Sequence, residues 1–177
     1  MLCTLVTRRT LLAGVAATSV GLASRHAVPA SVRRLTVVRP ASGEMAHAVP
    51  FWLDGAPYED GLAELDWLMR DVHAEQVKPI DLRVYYLLAI AQAEFAGRPI
   101  IVTSGYRTKS TNDTLRQQGI DAVRNSFHVQ GRAADIQIDD VPPVRVAALG
   151  STLNLGGVGV YAKFVHLDTG PPRSWRG

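Results

Sequence analysis

Apolar and polar positions along this chain follow two rhythms, one close to two residues and one close to three and a half. The β-branched run Leu35-Thr36-Val37-Val38 reads as a strand, and residues 45–52 alternate loosely towards a second strand that ends at Asp54-Gly55. With the turn residues Ser42-Gly43-Glu44 between them, the two predict a small hairpin. Residues 61–72 place Leu62, Leu65, Leu68, Met69 and Val72 at helical spacing behind acidic residues, which predicts an amphipathic helix. Asp81 is an N-cap for a second, more buried helix over 82–95, closed by Gly97 ahead of Pro99. Trp67, Met69, Tyr85 and Tyr86 are expected in or near the core.

After Pro99 the texture changes to short strands separated by turns. Ile100–Ser104 predicts a buried strand, left through the loop Gly105-Tyr106-Arg107-Thr108. Residues 111–118 suit a short helix broken by Gly119, followed by a polar rim to Asn125. Beyond Gly131 the pattern is again alternating: Ala133, Asp135 and Gln137 fall on one face of a strand, and Ala134, Ile136 and Ile138 on the other. Pro142-Pro143 interrupts, 144–154 predicts another helix, and Gly156 to Tyr161 leads into a last strand over 163–168. The expected fold class is α+β, an antiparallel sheet covered by two or three helices.

Composition narrows this to one core. A chain of 177 residues with 47% hydrophobic and 20% charged content supports one domain more readily than two. The start differs from the rest: Arg8-Arg9 precedes an uncharged run, 11–23, shorter than the roughly 18 residues of a membrane span and ending in small residues. Residues 1–30 are therefore expected to be a twin-arginine export signal, with a single domain over 31–177 and a periplasmic destination. Removing Arg8, Arg9 and Arg25 leaves 16 basic residues against 16 acidic ones, so a nucleic-acid partner is not expected. Membrane contact is expected only during export, and the domain is expected to be monomeric. Arg33, Arg34 and Arg39 are assigned to a solvated strand edge. Cys3 is the only cysteine and falls in the signal, so a metal site in the domain must use His and carboxylate ligands.

Such ligands are present. His128, Asp135 and His166 are two imidazoles and a carboxylate, a set suited to zinc with its fourth position open. His128 and Asp135 stand seven positions apart across Gly131, which fits a turn into a strand and not one helical face. Phe164, His166 and Asp168 share a strand face, His166 and Asp168 about 6 to 7 Å apart at the backbone. His26, His47 and His73 have no such partners and are assigned structural or surface positions.

These residues resemble those of the peptidase M15 family, the zinc D-alanyl-D-alanine carboxypeptidase and dipeptidase group, and most closely its murein endopeptidase K branch. The likeness is carried by Phe51-Trp52-Leu53-Asp54-Gly55, Ser104-Gly105-Tyr106-Arg107-Thr108, the frame Ser126-x-His128-x-x-Gly131-x-Ala133-x-Asp135, Gly157-Val158-Gly159-Val160-Tyr161, and Phe164 to Gly170 with Arg173 and Trp175. What it implies is Zn2+ held by His128, Asp135 and His166, Arg107 facing a substrate carbonyl or carboxylate, and a peptidoglycan peptide as substrate. The implied activity is a murein endopeptidase; the alternatives are a D,D-carboxypeptidase or dipeptidase and a non-catalytic binding module. One position departs from the dipeptidase pattern, which has glutamate three residues before the last histidine: here it is Lys163, which cannot accept a proton while charged. Asp168 is the candidate for the base, or else it orients a ligand imidazole through the other ring N–H, and both readings stand. Asp139 and Asp140 are weaker candidates. Ser126 is read as supporting the loop or binding substrate, and not as a nucleophile.

Overall fold

A computed structural model describes residues 32–120 and 123–177; the expected export signal over 1–30 lies outside them. The first strands form as the alternation requires: β1 (Arg33–Arg39) and β2 (Glu44–Leu53) pair antiparallel, and β3 (Ala56–Pro57) adds a short third strand across the Asp54-Gly55 turn. Helix α1 spans Glu59–Leu68 and stops earlier than the hydrophobic spacing predicts. Its end is set by Asp71, whose carboxylate accepts the backbone N–H groups of His73 and Ala74 and draws the chain into a turn. Helix α2 (Leu82–Glu94) is capped by Asp81, which accepts the Arg83 N–H, and closes at Gly97, where φ is +73°.

The second half supplies β4 (Ile100–Ser104), α3 (Lys109–Gln117), β5 (Ala133–Gln137), α4 (Pro143–Leu153), β6 (Gly157–Val160), β7 (Val165–Asp168) and β8 (Arg173–Arg176). All eight strands form one sheet in the order β3-β2-β1-β4-β5-β7-β6-β8. Most neighbours are antiparallel, as expected, but β1 with β4 and β6 with β8 run parallel. The first parallel pair needs the crossover that α1 and α2 provide.

Helices α1, α2 and α4 pack against the strands, and α2 touches α4. Ala134, Ile136, Val165 and Leu167 belong to the same buried cluster as Leu65, Val84 and Val146. By the period of two, Asp135, His166 and Asp168 then lie on the opposite face of the sheet, where the site is built. Two expectations are corrected. Arg39 is 3% exposed instead of solvated, and its guanidinium donates to the carbonyls of Val102 and Arg70, tying β1 to β4 and to the end of α1. Trp67 is 46% exposed instead of near the core, and Arg70 stacks on its ring while its indole N–H donates to Glu44. Strand β8 was not expected at all.

Candidate metal centre

Register brings two of the candidate ligands together. Strands β5 and β7 pair so that Asp135 stands opposite His166 and Ala133 opposite Asp168, and opposed side chains on one face stand about 4.5–5.5 Å apart at Cβ. His128 comes from the loop between α3 and β5. Ser126 accepts the His128 N–H at 3.2 Å, and the carbonyl of His128 accepts the N–H of Gly131 at 3.1 Å. Gly131 has φ +70°, and a Cβ there would stand 2.7 Å from the Pro79 carbonyl oxygen, so this turn requires glycine.

The three ligand atoms converge. His128 Nε2 lies 3.1 Å from Asp135 Oδ1 and 3.1 Å from His166 Nδ1, and His166 Nδ1 lies 2.8 Å from Asp135 Oδ1. These atoms are close to the corners of one tetrahedral face, because bonds of about 2.0–2.1 Å to a tetrahedral ion set ligand atoms about 3.3–3.4 Å apart. The far ring nitrogens are anchored: His128 Nδ1 donates to the Gly105 carbonyl at 2.6 Å, and His166 Nε2 to Asp168 at 3.0 Å. Each anchor leaves the near nitrogen of its ring turned towards the other two ligands, the arrangement that metal-ligating histidines need. His128, Asp135 and His166 together could hold a metal ion.

Electrostatics agree with a cation site. Burial pushes the pKa of His128 down and keeps it neutral, the form that ligates. Burial opposes the charge of Asp135, but His128 and His166 hold its carboxyl well below the usual range. Burial would lower His166 as well, yet its hydrogen bonds to Asp135 and Asp168 carry it above the ordinary value. Two carboxylates around that ring attract a positive charge, which a proton supplies in competition with a metal.

Asp168 sits behind His166 and not beside the converging atoms. It is 0% exposed, and its oxygens accept from His166, from the N–H groups of Gly157 and Gly170, and from two nitrogens of Arg173. Burial works against its charge, but those donors hold it well below the carboxylate range. Arg107 donates from Nη2 to the other oxygen of Asp135 at 2.6 Å and from Nε to Ser104 at 2.7 Å. Lys163 is exposed and borders a separate depression with Asp139 and Asp140, where Asp140 pairs with Arg98, so none of these three lines the site.

Two hollows meet at Asp135. One, of about 770 Å³, is walled by Phe127, Tyr161, Phe164, Arg173 and Trp175 and reaches His128 and His166. The other, of about 650 Å³, runs past Ser104, Tyr106, Thr111 and the exposed His73. Arg107, Ile120, Asp135 and Phe164 border both. The second hollow and the wall contributed by β8 escaped sequence reasoning. Their only local signal is the pair Arg173 and Trp175, spaced for one face of a strand.

Over residues 27–175 the chain matches the family described as peptidoglycan L,D-endopeptidase MepK. It is similar to the probable peptidoglycan L,D-endopeptidase MepK of Haemophilus influenzae, 39% identical over 120 residues, which are 66% of this chain and 64% of that protein. It is also similar to the peptidoglycan L,D-endopeptidase MepK of Escherichia coli K12, 35% identical over 147 residues, which are 81% of this chain and 80% of that protein. The aligned stretch thus spans slightly less than two thirds of the Haemophilus relative.

Proposed function

The chain belongs to the peptidoglycan L,D-endopeptidase MepK family of peptidases, and on that premise we propose that it is a zinc-dependent endopeptidase that hydrolyses peptide cross-links of peptidoglycan. The observation that carries the endopeptidase reading is that the hollow holding His128, Asp135 and His166 adjoins a second hollow along Arg107, Ile120, Asp135 and Phe164. A peptide can lie along His128 and His166 in the first, pass Asp135 and Arg107 and leave through the second. An enzyme that trims chain ends needs instead a closed wall with a carboxylate anchor on one side.

His128 Nε2, Asp135 Oδ1 and His166 Nδ1 would hold the ion. Zinc bound there lowers the pKa of a coordinated water towards about 7 and polarises a carbonyl. Arg107 has Nε and Nη2 engaged by Ser104 and Asp135, so its plane is fixed beside both hollows. Its remaining edge is set to donate to the oxygen of the scissile carbonyl, where negative charge develops, or to a substrate carboxylate. Asp168, with its oxygens committed to five donors, takes the orienting role: it fixes the tautomer of His166 so that Nδ1 is the ligating atom. The aromatic wall of Phe164 and Trp175 excludes water on one side of the cut.

A single domain over 31–177 does this work, as a monomer, after export directed by residues 1–30. Among the described residues no helix is long and apolar enough to cross a membrane. Peptidoglycan lies outside the cytoplasmic membrane, which fits a periplasmic enzyme with Arg8-Arg9 in its signal. The test is chromatography of cross-linked muropeptide dimers and of monomers after incubation with the zinc-loaded protein. Consumption of dimers with release of monomers is expected; loss of terminal residues from monomers alone would overturn the endopeptidase reading.

A further inference from the structure

We propose that Arg173 is a positioning residue of the metal centre: by gripping both oxygens of Asp168 it fixes the carboxylate plane that in turn sets the ring of His166. The proposal rests on the reading that His128, Asp135 and His166 hold an ion. Arg173 Nη2 lies 2.6 Å from Asp168 Oδ2, and Nη1 lies 3.1 Å from Oδ1, a two-pronged contact that matches the guanidinium fork to the carboxylate. The oxygen nearer to Arg173 is the one that accepts from His166 Nε2 at 3.0 Å. Arg173 therefore acts on the ligand through one intermediate atom.

The surroundings are built for this grip. The side chain of Arg173 is 41% exposed while that of Asp168 is 0% exposed, so the guanidinium stands between the carboxylate and solvent. The rings of Phe127 and Trp175 hold the guanidinium at 5.2 and 5.0 Å, which limits its swing. Strand β8 lies beside β6 with Arg173 in register with Gly157, and a Cβ on Gly157 would run into both Arg173 Nη1 and Asp168 Oδ2. Glycine at 157 is what allows the guanidinium and carboxylate to meet over that strand. Trp175, on the same face of β8, lies 5.3 Å from the His166 ring and packs against it at a tilt.

Charge alone does not explain the arrangement. A lysine would neutralise Asp168 as a point charge, leaving Oδ1 on the N–H groups of Gly157 and Gly170, but it has no second prong to hold Oδ2 towards Nε2. A ring whose partner oxygen is less firmly placed presents Nδ1 over a wider range of directions, and affinity for the ion falls by the amount typical of a lost supporting contact.

The test uses the full mature chain with Arg173→Met and Arg173→Lys, and reads zinc affinity by chelator competition and the His166 Nε2–H proton resonance in the zinc-loaded protein. Arg173→Met is expected to weaken zinc binding by roughly 10- to 100-fold and to shift and speed the exchange of that resonance, with Arg173→Lys in between. A folded Arg173→Met protein with zinc affinity within about twofold of the parent and an unchanged resonance would overturn the proposal, even if it melts earlier or its KM rises. If Arg173→Met does not fold, Arg173→Lys decides by the same two readouts. Failure of the parent chain to bind zinc would remove the site itself, whereas zinc binding indifferent to Arg173 removes only this inference.

Discussion

Replacing Asp168 by asparagine separates the two roles its position allows. The amide can keep its carbonyl oxygen at the Oδ1 site, retaining the N–H groups of Gly157 at 3.0 Å and Gly170 at 2.8 Å and the Arg173 Nη1 contact at 3.1 Å. Its NH2 then occupies the Oδ2 site, where His166 Nε2–H and Arg173 Nη2–H already point. The reverse orientation is worse, since two backbone N–H groups would face an NH2. Two charge-assisted hydrogen bonds are lost, each worth about 1.5–3 kcal/mol. The Arg173 share belongs at the low end because its guanidinium is partly exposed and can turn to water. Folding stability should therefore fall by roughly 3–4.5 kcal/mol. Zinc affinity should fall by roughly 10- to 100-fold, about 1.4–2.7 kcal/mol, because His166 loses the acceptor that sets its tautomer. Chelator competition, thermal melts of the metal-free protein, and turnover of muropeptide dimers against added zinc measure the three consequences. Turnover should recover to within about tenfold of the parent once zinc saturates the variant. Unchanged zinc affinity together with a turnover lower by two to four orders of magnitude would refute the reasoning, because that is the signature of a lost general base.

The mature chain should bind one zinc ion, and His128→Ala, Asp135→Ala and His166→Ala should each abolish most of it; full zinc content by elemental analysis in any of the three would count against the site. Zinc at a hundredfold excess over Kd should stabilise the folded parent by about 2.7 kcal/mol, and a chelator should remove that gain in a thermal melt. Burial raises the pKa of Asp66 above its usual 3.8, against the hydrogen bonds from Tyr85 and Ile80, so the folded state binds its proton more tightly than the unfolded state. That contribution is complete below pH 3.8 and lost as pH rises through the folded value; Asp66→Asn should flatten this fall in stability, and melts with the same slope in both proteins would refute it. Gly131→Ala forces a side chain onto φ +70° and against the Pro79 carbonyl, which should cost roughly 1–3 kcal/mol of stability and loosen zinc binding through His128; a melting point and zinc affinity equal to the parent's would overturn this reading of the turn.

Much of the site was legible because its chemistry rides on local periodicity. The alternation after Gly131 places Asp135 on the face away from Ala134 and Ile136, and the one in Phe164 to Asp168 places His166 and Asp168 together; both hold in β5 and β7. The start of α2 was likewise readable, since an N-cap satisfies its partners within a few residues and Asp81 does so with the Arg83 N–H. Such features depend on neighbours in the chain, so a window of sequence contains their causes.

What only the tertiary structure decided depends on partners far along the chain. The opposition of Asp135 to His166 is a register between strands about thirty residues apart, and no local pattern specifies it. The crossing of β1 to pair in parallel with β4 buries Arg39 and gives it backbone carbonyls from two other segments, although its flanking arginines read as solvated. Trp67 is turned outward because Arg70 and Glu44 meet it at the surface, a contact that helical spacing alone does not foresee. Strand β8 is short and charged, so it has no hydrophobic alternation to announce it, and it forms because β6 offers an open edge. Asp168 follows the same division: its side of the strand was readable, whereas its oxygens were filled by donors from β6, β8 and the turn at Gly170 that only folding brought to it.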